Sequence, residues 1–270
     1  MRRYLWILTL LVFLITATGA MAAQRLRLAT TTSTENTGLL YALIPPFEKA
    51  HGVQVHVISV GTGKALKLGQ RCDVDVVMVH APAAEKKYVA AGFGVDRRRL
   101  MHNFFVIVGP ADDPAGVARA GGAVAAFRRI AKAGALFVSR GDNSGTNMKE
   151  LAIWRAAGIK PQWPGYKEAG QGMGAVLTMA GQLGAYTLTD TGTYLKYQSA
   201  GKLKLKILVS QDAYLKNPYH VMMVNPARCP QVKAKLAKAF LDYLVSPQAQ
   251  KIIREFKAGG QQLFWSDVLP

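Results

Sequence analysis

Strand-like and helix-like segments alternate along this chain, and few architectures satisfy that grammar. Polar and apolar residues alternate over 25–30. Leu40, Leu43, Ile44 and Phe47 then recur at helical spacing until His51 and Gly52 stop the element. Residues 53–60 read as a second strand, 75–79 as a buried strand, 85–91 as a helix and 104–108 as an apolar strand closed by Gly109 and Pro110. The second half repeats the pattern, with strands over 136–139, 184–188 and 219–224, a helix over 144–157 and a short helix from Gly174. Leu236, Phe240, Tyr243 and Leu244 mark a helix near the end, and Ser246-Pro247 opens another through Phe256. The alternation predicts an α/β fold with largely parallel sheets. The segments at 104–108 and 219–224 read as crossings between two lobes, one built from 23–106 plus 220–270 and the other from 107–219.

Before the first strand, Arg2 and Arg3 precede an apolar run from Tyr4 to about Ala17, and Ala20 and Ala22 supply an A-x-A cleavage site. This predicts a signal peptide over 1–22 and a mature periplasmic protein beginning at Ala23. The apolar run is shorter than the roughly 20 residues of a membrane span. Half of the 270 residues are hydrophobic, enough for a sizeable core. Lys and Arg total 34 against 16 Asp and Glu; without Arg2 and Arg3 the net charge is near +16. Such a bias draws anions toward clefts. The basic residues are scattered without an aromatic-interleaved stripe, which argues against nucleic acid as a partner. Cys72 and Cys229, 157 positions apart, leave a disulfide open. They lie in no CxxC pair, and the five histidines are dispersed as structural residues would be, so neither a metal site nor a cofactor is expected.

Four segments share one form, in which a strand ends, hydroxyl or glycine residues follow, and a helix begins in at least three cases. They are TTTS at 30–33, GTG at 61–63, SRGDNSGT at 139–146 and GQGMGA at 170–175. A helix start carries unpaired N–H groups and the positive end of the dipole, so it attracts anions. One such segment is ordinary capping; four of them, with the planar donor fork of Arg140 among them, point to an oxyanion site. Hydrolytic signatures are missing: there is no GxSxG elbow, no P-loop spacing and no dinucleotide fingerprint. No catalytic residue is expected, and the chain reads as a binding protein rather than an enzyme.

The same segments, together with VGTGKALKLG at 60–69, DVDVVMVHAPAAE at 73–85, FVIVGPADDPAG at 105–116 and YTLTDTGTYL at 186–195, closely resemble the tungstate-binding proteins of tungstate ABC transporters. That family lies within the type II periplasmic binding proteins, and the match spans essentially the mature chain. The resemblance implies a two-lobed fold with a hinge and an interlobe cleft that closes on one tetrahedral oxyanion and presents it to a membrane permease, as a monomer. It implies ligand contacts from Thr31, Thr32, Ser33 and Thr62 on one lobe and from Arg140, Ser144, Gly145 and Thr146 on the other. Backbone N–H groups of Gly174, Ala175 and Val176 would join them. Asp142 and Asn143 are expected to shape the turn. Three positions depart from the family pattern: Phe104 stands where aspartate is usual, Thr191 where arginine often follows, and Cys72 where glycine is common.

A fully ionised tungstate or molybdate offers only acceptors, whereas hydrogen phosphate carries a proton that needs one. The stretch from Val76 to His80 supplies no carboxylate for that proton, which disfavours phosphate. The nearest rival ligand is molybdate, then sulfate or phosphate. Two further classes are a secreted hydrolase using Ser144 and a basic envelope-adhering protein whose helix caps are purely structural.

Overall fold

The computed structural model describes residues 24–201 and 203–268; the signal segment expected over 1–22 lies outside them. Strand β1 (Gln24–Thr31) runs directly into helix α1 (Thr32–Asn36) and then α2 (Leu39–His51), which buries Leu39, Leu40, Leu43, Ile44 and Phe47. Gly52 closes α2 in the left-handed region, where its N–H reaches the Glu48 carbonyl. Strand β2 (Val53–Val60), helix α3 (Thr62–Gln70), strand β3 (Val76–Val79) and helix α4 (Pro82–Ala90) follow, and β1 pairs in parallel with both β2 and β3.

Strand β4 (Gly94–Gly109) is 16 residues long, far longer than the apolar stretch at 104–108. Its first half carries Asp96, Arg97, Arg98 and Arg99, and those charges mask the strand from periodicity. Arg97 pairs with the buried Glu85 at 2.6 Å, and Arg98 pairs with Asp96 and Asp242 at 2.6 and 2.7 Å. The ladder to a later strand, rather than its own apolar pattern, holds this half in place.

Helix α5 (Ala123–Lys132), strand β5 (Phe137–Ser139), helix α6 (Gly145–Ala156), strand β6 (Tyr166–Glu168), helix α7 (Met173–Leu183), strand β7 (Thr187–Asp190), helix α8 (Thr191–Ser199) and strand β8 (Lys206–Val209) form the middle of the chain. Strand β9 (Lys216–Val224), helices α9 (Ala234–Leu244) and α10 (Pro247–Glu255), and short strands β10 (Lys257–Ala258), β11 (Gln261–Gln262) and β12 (Trp265–Ser266) end it.

The sheet is mixed, not largely parallel. Its order is β12-β4-β9-β3-β1-β2, with β7 and β8 also on β4, and every pairing made by β4 and β9 is antiparallel. The reason is the path of β4: it faces β9 as far as Phe104↔Lys216, then faces β7 from Phe105↔Asp190 onward. Two neighbouring strands that carry the chain out along the sheet and back again run antiparallel of necessity. One apolar cluster draws only on residues between Phe105 and Leu215, around Phe127, Phe137, Trp154 and Tyr186. A second, around Val77, Tyr88 and Met222, belongs to the other end of the sheet, and a third, the largest, draws on both halves of the chain.

Cys72 and Cys229 are joined by a disulfide, with Cα atoms 5.4 Å apart. Cys72 takes φ +64°, the left-handed region that favours glycine, so a cysteine stands here in a conformation that a glycine would adopt freely. Among the described residues no helix is long and apolar enough to cross a membrane.

Candidate functional site

All four segments singled out by sequence end in helix N-termini, those of α1, α3, α6 and α7. Thr31 caps α1: its Oγ1 accepts from the Thr34 N–H at 3.2 Å and lies 3.2 Å from Ser33 Oγ. Ser144 caps α6, with Oγ accepting from the Asn147 N–H at 3.2 Å, which leaves its hydroxyl proton free to donate elsewhere. Gly61 and Gly172 cap α3 and α7 with no side-chain bond, so their first N–H groups have no capping partner.

The loop between β5 and α6 is held from several sides. Asp142 Oδ1 accepts from the Ser144 N–H at 3.1 Å, and Asn147 Oδ1 accepts from the Asn143 N–H at 3.1 Å, with Asn143 at φ +57°. Gly141 sits at φ +57° where a Cβ would lie 2.7 Å from that of Glu168. Beneath the loop, buried Glu150 accepts from Ser139 Oγ at 2.6 Å, Tyr166 Oη at 2.8 Å and Trp154 Nε1 at 3.0 Å, and burial pushes its carboxyl up to about 7. The loop after β6 is tied to it, since the Ala169 and Gly170 N–H groups donate to the Ser139 and Arg140 carbonyls.

Helix starts from the two halves of the chain meet. A Cβ on Gly145 would lie 2.5 Å from His80 Cε1 and 3.0 Å from Thr62 Oγ1, and one on Gly63 would lie 2.7 Å from Asn143 Nδ2. Thr32, Ser59, Gly61 and Lys64 on one side, and Arg140, Asp142 and residues 170–172 on the other, enclose a cavity of about 310 Å³. Thr62 is 0% exposed, Arg140 4% and Thr146 1%, yet Thr62 Oγ1, Arg140 Nε and Thr146 Oγ1 have no hydrogen-bond partner among the described residues. Unpaired buried polar groups carry a penalty of about 1–3 kcal/mol each, more when charged, and native proteins keep few. Arg140 Nη2 is bound to Asp142 Oδ2 at 2.5 Å, so part of its fork is already engaged.

The fourth helix start, that of α7, differs from expectation. The Val176 N–H is spent on the Gly172 carbonyl at 3.1 Å, because Val176 is the fourth residue of α7 and closes its first helical turn. Gly174 and Ala175 precede that point and keep N–H groups without an intrahelical acceptor. Gly174 lies under the Tyr197 hydroxyl, 1.9 Å from where a Cβ would stand.

Sequence reasoning passed over Ser59, Lys64 and His80. Ser59 faces Thr30 in the β1–β2 register and has an unpartnered buried Oγ; a serine late in a strand carries no local signal. His80 is buried, with Nδ1 2.8 Å from Asn217 Oδ1 and Nε2 3.4 Å from Ser33 Oγ, and burial lowers it to about 4. Its partner arrives from 137 residues away, beyond the reach of any motif.

A sequence model of the PBP superfamily domain matches residues 16–248. The tungstate-binding protein TupA of Peptoclostridium acidaminophilum is 45% identical over 231 residues, covering 85% of this chain and 80% of that protein. The chain belongs to the TupA family of the PBP superfamily. Solved structures agree with this TupA-family fold. The tungstate ABC transporter structure from Geobacter sulfurreducens is 53% identical, with a TM-score of 0.80, covering 87% of this chain and all of that one. TupA from Desulfovibrio alaskensis G20 is 50% identical, with a TM-score of 0.78, covering 92% of this chain and all of that one. The two-lobed α/β architecture expected from sequence is therefore that of its TupA relatives.

Proposed function

We propose that this chain binds tungstate, or the nearly isosteric molybdate, in the periplasm and delivers it to the permease of an ABC transporter. The observation that carries the reading is the set of buried donors without partners, Thr62 Oγ1, Arg140 Nε and Thr146 Oγ1, at helix starts that meet across the two halves of the chain. A dianion stripped of water needs such donors, and hydrogen bonds to charged groups contribute about 1.5–3 kcal/mol each. The names of the relatives supply the particular oxyanion.

In this reading Thr31, Thr32, Ser33 and Thr62 donate from one lobe and Arg140, Ser144, Gly145 and Thr146 from the other, with Gly174 and Ala175 adding backbone N–H groups. The lobes are residues 23–106 plus 220–270, and 107–219, joined through β4 and β9. The protein acts as a monomer, by closure rather than turnover, after export and cleavage behind Ala22.

The test is thermal melting of ligand-stripped protein with tungstate, molybdate, sulfate and phosphate at equal concentration, since a ligand that binds only the folded state raises stability by mass action. Large shifts with tungstate or molybdate and none with the other two are expected. No shift with any of the four would reject the reading and return the helix caps to a structural role.

A further inference from the structure

The histidine beside the cleft has its protonation pattern dictated by its neighbours. Asn217 Nδ2 donates to Asn103 Oδ1 at 2.7 Å and to Tyr219 Oη at 3.3 Å, so its Oδ1 faces His80 and must accept. The proton of neutral His80 therefore sits on Nδ1, and Nε2 presents a lone pair to Ser33 Oγ at 3.4 Å. In that state His80 Nε2 offers Ser33 only an acceptor, as does Thr31 Oγ1 at 3.2 Å when its own proton serves Thr34 Oγ1 at 2.6 Å. The Ser33 proton is held between these two, and its lone pairs are what remain for a ligand. An oxyanion that offers only acceptors meets the wrong end of Ser33.

We propose that His80 sets the direction of the Ser33 hydroxyl, and that seating a fully ionised oxyanion turns this hydroxyl to the ligand while His80 takes up one proton from solvent at Nε2. The new Nε2–H then donates to Ser33 Oγ, the oxyanion keeps its full charge, and His80 passes from neutral to singly positive. This rests on the oxyanion reading above and assigns that site a positioning residue together with a linked proton.

The charges around His80 make the proton conditional on the ligand. Burial opposes the imidazolium most strongly, and Arg140 and Lys149 oppose it through space. The positive end of α6 also opposes it, since Gly145 abuts the ring. Glu85 on α4 favours it, but that carboxylate already faces Arg97 and lies 2.9 Å from His220 Nδ1 on β9. The remaining neighbours on β4 and β9, Asn103, Asn217, Phe105 and Tyr219, are uncharged. A dianion against Ser33 adds the negative charge that tips the balance. A surface concavity of about 260 Å³ lined by His80, Pro82, Met148 and exposed Ala152 borders the buried histidine and gives a short path for a proton from solvent.

The experiment is titration calorimetry of ligand-stripped protein with dilute, monomeric tungstate, in buffers of differing ionisation enthalpy between about pH 6 and 8. The expected result is uptake of about 0.3 to 1 proton per site near pH 6.5, with affinity rising at least about twofold from pH 8 to 6. His80→Gln supplies a permanent N–H near the Nε2 position, so it should bind with no uptake and a flat pH profile. Ser33→Ala removes the hydroxyl that turns, and should bind more weakly and also without uptake. Wild-type binding with no proton uptake overturns the inference alone, as does His80→Gln retaining wild-type uptake, which would place the proton elsewhere. Failure of the wild type to bind tungstate overturns the oxyanion reading and this inference with it.

Discussion

The Thr191 hydroxyl donates a 2.8 Å hydrogen bond to the Phe104 carbonyl, so two of the three positions that depart from the family pattern are neighbours in space. They meet where β4 leaves β9 for β7, the crossing between the two proposed lobes. Phe104 also packs edge-on against Trp265 and His102, at 5.4 and 5.5 Å between ring centroids. An aspartate and an arginine at 104 and 191 would lie close enough to pair, and here an aromatic cluster and one hydroxyl bond stand instead. Phe104→Asp combined with Thr191→Arg is expected to change the extent of lobe closure, read by small-angle scattering with and without tungstate, while changing affinity less than threefold, as about 0.5 kcal/mol would. Unchanged closure would remove any role of this pair in the hinge.

Arg140→Gln should weaken tungstate binding by more than about tenfold, since one charge-assisted contact with a dianion contributes about 1.5–3 kcal/mol. The fold should survive, because the loop keeps its bonds through Asp142, Asn143 and Ser139. Calorimetry with unchanged affinity would exclude Arg140 from the site.

Gly145→Ala tests the meeting of the two helix starts. The added Cβ would fall 2.5 Å from a His80 ring that Asn217 holds in place, so the halves of the chain must separate slightly to admit it. Affinity is expected to fall by about tenfold or more with little change in melting temperature, because a slight parting of the two helix starts relieves the strain without unfolding either half but misplaces the ligand's donors. Wild-type affinity would show that α6 can shift without loss.

Burial keeps Glu150 protonated up to about 7 in the folded chain, against 4.5 for the free group. The folded state therefore binds more protons than the unfolded state in that window. Stability contributed by this group is fully present below about 4.5 and is lost as pH rises through about 7. Urea melts of the ligand-free protein should show Glu150→Gln to be at least as stable as wild type near pH 8 and to lack that part of the pH dependence. Equal slopes for both proteins would mean that Glu150 stays ionised throughout.

Breaking the Cys72–Cys229 bond should lower stability by about 2–5 kcal/mol, because it closes a loop of 157 residues in the unfolded chain. Cys72→Gly with Cys229→Ala separates the cross-link from the left-handed backbone at 72, since glycine takes φ +64° without strain. Chemical denaturation of this variant should show a smaller loss than Cys72→Ser with Cys229→Ala, and equal losses would assign the whole effect to the cross-link.

Many of the elements, the four helix starts and the TupA-family resemblance were legible in the sequence, because each depends on short-range chemistry, whereas helices α5 and α8 and strands β6 and β8 were not marked. Apolar spacing marks helices such as α2, hydroxyl and glycine residues mark caps, and SRGDNSGT specifies a turn through its own side chains. The charged half of β4 was not legible, since its strand identity comes from a ladder to β9 more than 110 residues away and its charges are paired by Glu85 and Asp242. Tertiary structure alone decided that the sheet is mixed, that Cys72 meets Cys229, and that positions 104 and 191 touch. It alone placed His80 between Ser33, Asn217 and Gly145, since a side chain's partners across a fold depend on how distant segments pack, and no local pattern encodes that packing.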